Sequence, residues 1–163
     1  MSAESVVFGR IEARERQYIH FFSAMIQDLT ANGNRKRFGD RNPRGTSWHT
    51  FESANIDDKV IGRFNVAFGF NDRVRVELHI DTLDGVRNGE ILAKLRCRLE
   101  AKQDLIWSPI KDARACRVHL EREGNIRVSE DELATLRRQL TTDLVEFVDL
   151  FEAELARLAG EDQ

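Results

Sequence analysis

Near the start of the chain, apolar residues return at steps of three and four: Ile11, Tyr18, Phe21, Phe22, Met25, Ile26 and Leu29. This spacing predicts one apolar stripe on a helix from about Arg10 to Ala31. Asn32-Gly33-Asn34 stops it, with Gly33 able to take the left-handed conformation of a helix cap. The period then falls to two. A mixed aromatic segment, Thr46 to Ala54, precedes Ile61 to Phe70, where Phe64, Val66, Phe68 and Phe70 alternate with Asn65, Ala67 and Gly69. In the next segment Arg73, Arg75, Glu77 and His79 alternate with Val74, Val76, Leu78 and Ile80, the pattern of a strand with one wet face. Asp57-Asp58 and Asn71-Asp72 predict the turns that join the three strands as hairpins.

The period of 3.6 resumes after Asp84-Gly85. A helix from about Arg87 to Gln103 buries Ile91, Leu92, Leu95 and Leu99 and carries a basic row, Lys94, Arg98 and Lys102, on its outer side. Short strands over Leu105 to Ile110 and Ala113 to Leu120 follow. Ser129-Glu130-Asp131-Glu132 then reads as a capping box opening the last helix. Leu133, Leu136, Leu140, Leu144, Phe147, Phe151, Leu155 and Leu158 line one side of it, and Val145, Val148 and Leu150 widen that side. The predicted order is α-β-β-β-α-β-β-α. The fold class is α+β, one mainly antiparallel sheet packed by two or three helices and clasped between the long first and last ones. Residues 10–159 form a single domain between short flexible ends, 1–9 and 160–163.

Composition changes this picture in three ways. The chain of 163 residues fits one domain with one core. No continuous apolar run is long enough for export or for spanning a membrane, and Cys97 and Cys116 lack metal-ligand spacing, so a reduced, cytoplasmic chain is expected. The net charge of −3 is unevenly spread: residues 1–128 hold 22 Lys and Arg against 18 Asp and Glu, whereas residues 129–163 hold 3 against 10. The last helix is therefore an acidic element on a mildly basic body.

Two groups of residues carry candidate chemistry. The segment Arg35-Lys36-Arg37-Phe38-Gly39-Asp40-Arg41-Asn42-Pro43-Arg44, with Trp48 and His49 just after it, interleaves cations with aromatics, as phosphate neutralisation and base stacking require. Trp48 and Phe51 read first as core aromatics. The second group is a polar sheet face offering Arg75, Glu77 and His79 from one strand and Arg117, His119 and Glu121 from another. Its simplest reading is cross-strand ion pairing on a solvated face. His79 and His119 find no third ligand at useful spacing, so no metal site is assigned and no cofactor is implied.

The element order also matches the core of restriction-endonuclease-like nucleases, which hold magnesium with an acid near the second strand and an acid-x-Lys on the third. Here the third strand offers Glu77-x-His79, and Asp57 and Asp58 precede the second strand. Taken together, Arg73-Val-Arg-Val-Glu77-Leu-His-Ile80-Asp81, the helix after it, Leu105-Ile-Trp107 and Ala115-Cys-Arg117-Val118 resemble the bacterial domain of unknown function numbered 4268, over roughly Arg16 to Leu158. The resemblance implies an α+β domain often found downstream of nuclease-like domains, and no known activity. It marks Glu77, Trp107 and Arg117 as matching positions.

The leading expectation is a non-enzymatic binding or accessory module that contacts nucleic acid or another protein, through Arg35, Lys36, Arg37, Arg41, Arg44 and Trp48. The alternatives are a divergent metal-dependent nuclease using Glu77 and His79, and an interaction protein that forms a homodimer through the helix 129–159.

Overall fold

Helix α1 (Ala3–Ala31) opens the fold and starts earlier than its apolar stripe. It is followed by β1 (Trp48–Ile56), β2 (Lys59–Phe68), β3 (Arg73–Ile80), α2 (Gly85–Leu99), β4 (Ile106–Pro109), β5 (Cys116–Glu123) and α3 (Glu130–Glu161). The structure, a computed structural model, describes residues 3–33, 38, 41–109 and 113–161. The predicted α+β class and element order are both present, with a fully antiparallel sheet in the order β1-β2-β3-β5-β4. Both hairpin turns lie where the Asp and Asn pairs predict them. Asp57, Asn71 and Asp72 take positive φ, tolerable for short side chains that bond locally.

The expected clasp is not what forms. Val74, Val76, Leu78 and Ile80 of β3 face the same side as Phe64, Val66 and Phe68 of β2, and all three helices pack on that side. Phe21 of α1 meets Phe68 edge-on at 5.1 Å, Phe147 of α3 meets Phe64 at 6.2 Å, and the Cys116 thiol donates to the Asn88 carbonyl of α2. The molecule is therefore two layers thick, helices on one face and the other face uncovered by any described helix. One apolar stripe per helix needs only one apolar sheet face to pair with, and β3 supplies only one.

The helices are tied to each other by ion pairs. Arg137 of α3 reaches Asp28 of α1 at 2.7 Å, and Arg98 of α2 reaches Glu154 and Glu161 of α3. This corrects the reading of Lys94, Arg98 and Lys102 as an outer basic row: Arg98 turns to the acidic helix, and Lys102 lies beyond the end of α2. The capping box is in place, with the Glu132 amide donating to Ser129 Oγ at 3.3 Å. Buried positions on α3 run from Leu136 to Ala159, so the helix lies along the core to its last turn. Val148 is fully buried, and Val145 and Leu150 pack against the same core, so the apolar width that suggested a partner subunit is used within the chain. No described helix is long and apolar enough to cross a membrane.

Candidate functional site

Strand register decides what the uncovered face carries. Arg75, Glu77 and His79 of β3 lie opposite Glu121, His119 and Arg117 of β5, and on the other side opposite Ala67, Asn65 and Arg63 of β2. Thr50 and Trp48 of β1 extend two of these rows through Asn65 and Ala67. All five residues predicted for a polar sheet face, Arg75, Glu77, His79, Arg117 and His119, thus share one face.

The centre of that face is not solvated. Glu77 and His119 are each only 4% exposed, with Thr50 and Asn65 nearly as deep. The Thr50 hydroxyl donates to Asn65 Oδ1 at 2.7 Å, Asn65 Nδ2 donates to Glu77 Oε1 at 3.0 Å, and Arg75 Nε donates to Glu77 Oε2 at 2.6 Å. Arg117 stands 3.9 Å from the same carboxylate oxygen. The expected cross-strand pairing on a wet face is replaced by a buried polar chain whose strongest ion pair, Arg75–Glu77, lies within one strand. Burial pushes the Glu77 carboxyl up, but the bonds from Asn65 and Arg75 and the two guanidinium charges outweigh it and hold the carboxyl below its ordinary value. Both oxygens are engaged, so Glu77 acts as a buried counter-ion that positions Arg75. His119 Nε2 lies 3.0 Å from Glu121 Oε1, and burial keeps the imidazole below its ordinary pKa. Among the described residues no group of three or more His, Cys, Asp or Glu could hold a metal ion.

The edge of the same face carries the second candidate group. Arg41, Arg44, Trp48 and Arg63 line a cleft of about 720 Å³ with Thr50 at its wall, and among the described residues no carboxylate lines it. Arg41 Nη2 donates to Ser53 Oγ at 2.9 Å, which fixes the incoming loop against β1. The Arg63 guanidinium sits 5.7 Å from the centre of the Trp48 ring. Neither Arg44 nor Arg63 forms an ion pair with another described residue. Trp48 is 45% exposed, which corrects its reading as a core aromatic; Phe51 is core as expected. The parity of β1 explains the difference, since Trp48 and Thr50 point outward while His49 points in.

Arg35, Lys36 and Arg37, the rest of the predicted basic segment, lie outside the described residues. Arg63 was missed by the sequence reading. Its signal was present, because it shares the period-two phase of Asn65 and Ala67.

His49 packs between Phe22, at 5.6 Å, and Phe51, at 4.7 Å, and its Nε2 has no hydrogen-bond partner among the described residues. Burial, helped by the Arg41 charge, lowers its pKa to about 4. The unfolded chain takes up this proton near pH 6.5, whereas the folded chain resists until about 4, so stability falls as pH drops through that window. The loss from this residue between pH 7 and pH 5 is about 2 kcal/mol. Urea unfolding of wild type and His49→Leu at both pH values checks it. The variant keeps only the smaller slope from His79 and His119, which burial also lowers; a full slope in the variant would remove His49 as its source.

Comparison with known proteins finds no protein family, curated protein or solved structure that matches this chain.

Proposed function

We propose that the chain is a non-enzymatic nucleic-acid-binding module whose contact surface is the cleft of Arg41, Arg44, Arg63 and Trp48. One observation carries the reading: three arginines line a cleft with a half-exposed tryptophan, and among the described residues no carboxylate lines it. Arginine grips phosphate through two parallel bonds, and an exposed indole offers a platform for a base. The charge layout supports it. The acids of α3 lie in the helical layer, where Asp143 is spent on Arg122, Glu154 on Arg98 and Arg157, and Glu161 on Arg98, while the cleft lies at the edge of the opposite layer. An anionic partner can thus approach despite the net charge of −3.

The test is anisotropy of a labelled oligonucleotide titrated across salt. Wild type binds with an affinity that falls steeply as salt rises, and Arg44→Ala or Arg63→Ala reduces the salt slope by about one. Both side chains reach into solvent, so the fold is untouched. Absence of binding at every salt concentration, or unchanged slopes in both variants, would sink the proposal.

A further inference from the structure

We infer that the partner is a single strand, RNA or DNA, that runs through two clefts and stacks on two aromatics. This rests on the nucleic-acid reading above and adds the second half of the surface.

A second cleft, of about 680 Å³, lies at the β2–β3 hairpin end of the sheet and is lined by Arg14, Tyr18, Phe70, Arg75 and Arg127. The one acid among its described lining residues, Asp72, accepts from Asn125 Nδ2 at 2.6 Å and is thereby engaged. Gly69 has a specific role here. A Cβ at that position would lie 3.1 Å from Arg75 Nη1, so its absence leaves room for the guanidinium beside the hairpin. Phe70 is 94% exposed, an unusual cost for a phenylalanine with no other use.

The two clefts adjoin. Ser47 lines the second and Trp48 the first, and the Phe68 amide donates to the Ser47 carbonyl at 2.8 Å between them. Beneath them runs the buried chain Thr50–Asn65–Glu77–Arg75, whose first member lines one cleft and whose last lines the other. One rigid floor therefore sets the spacing of both. Trp48 pairs with Ala67, three residues before Phe70, so the two aromatics stand within about 15 Å of each other. Both clefts combine cations with an exposed ring. A base can lie on an exposed ring only if its face is free, which a duplex does not allow.

The experiment measures affinity of the whole chain for a dinucleotide, for RNA and DNA single strands of about eight nucleotides, and for a duplex of the same length. Wild type should bind the longer single strand at least about tenfold more tightly than the dinucleotide, and more tightly than the duplex. Phe70→Ala and Arg127→Ala should each lower affinity for the longer strand about fivefold to tenfold and leave the dinucleotide unchanged, whereas Trp48→Ala lowers both. Phe70 and Arg127 are exposed, so the variants should melt with wild type, which thermal melts check. If the longer strand gains nothing, if Phe70→Ala and Arg127→Ala bind it as wild type does, or if the duplex binds equally well, the two-cleft inference is overturned and the first cleft stands. If no nucleic acid binds at all, both fall together.

Discussion

Replacing Gly62 by alanine is expected to destabilise the fold by about 3 kcal/mol, because a Cβ there meets its neighbour more closely than at any other described glycine. A Cβ at Gly62 would lie 2.0 Å from the His79 carbonyl oxygen and 2.9 Å from its carbon, both backbone atoms of the neighbouring strand. No rotamer change relieves a clash with backbone, so β2 and β3 must part locally and lose ladder bonds. Gly62 also follows a bulge, since Ala54 pairs with Gly62 but Asn55 pairs with Val60, leaving Ile61 without an opposite residue. Gly89 supplies the internal control. It sits inside α2 with nothing within 4 Å of its missing Cβ, so the same substitution there should stabilise by about 0.5–1 kcal/mol. Thermal melts of both variants decide the matter, with Gly62→Ala falling by roughly 6–12 °C and Gly89→Ala rising slightly. A Gly62→Ala protein melting with wild type would mean that the strands do not approach this closely.

Glu77→Ala is expected to cost about 2–3 kcal/mol at pH 7. Removing the carboxylate leaves Asn65 Nδ2 without its acceptor and takes from Arg75 and Arg117 the charge they face. The two arginine side chains are 25% and 30% exposed, so water makes good part of the loss, and the figure sits below that of a fully buried pair. The pH dependence has a definite sign. Because folding lowers this carboxyl below its ordinary 4.5, its contribution is present above that value and is lost as pH falls through the folded one. The gap between wild type and Glu77→Ala in urea midpoint should therefore be full at pH 7 and close in acid. A gap that stays constant down to acid pH would show that charge is not what Glu77 contributes.

These two residues also show where the sequence is informative. Alternation in β3 places Glu77 on the polar face, and the same parity in β5 places His119 there, although β5 runs Cys116–Glu123, further along than its predicted range. Local chemistry was readable too: the Asn71-Asp72 turn and the Ser129 cap are each set by residues within four positions. What alternation cannot tell is depth. A polar residue on a strand reads as wet, yet Glu77 and His119 are buried because Arg75, Arg117 and their neighbours close around them. Strand order was likewise out of reach. Nothing in β4 or β5 says that the later strand pairs with β3, because that choice is made by Val118 and Cys116 finding the core that Ile80 and Leu78 begin.

The clefts were only half legible for the same reason. Arg41, Arg44 and Trp48 stand close together in the sequence, but Arg63, Arg14 and Arg127 come from other elements and meet them only when the sheet is assembled. Gly62 carried a weak signal, a glycine inside a strand pattern, which marks a bulge or a close approach without saying which backbone comes near.

One-sided packing has a further consequence for the chain during synthesis. The β1–β2–β3 meander is complete once Ile80 has emerged, but β3 gains its second neighbour only with β5, and α3 emerges after every other described element. Until then Phe64, Leu78 and Val76 have no Phe147, Phe151 or Leu144 to cover them. The nascent meander therefore presents this apolar face until α3 has been made. A slow stretch of translation just before Ser129 would lengthen that exposure, and a chaperone that binds apolar strands would meet a target there.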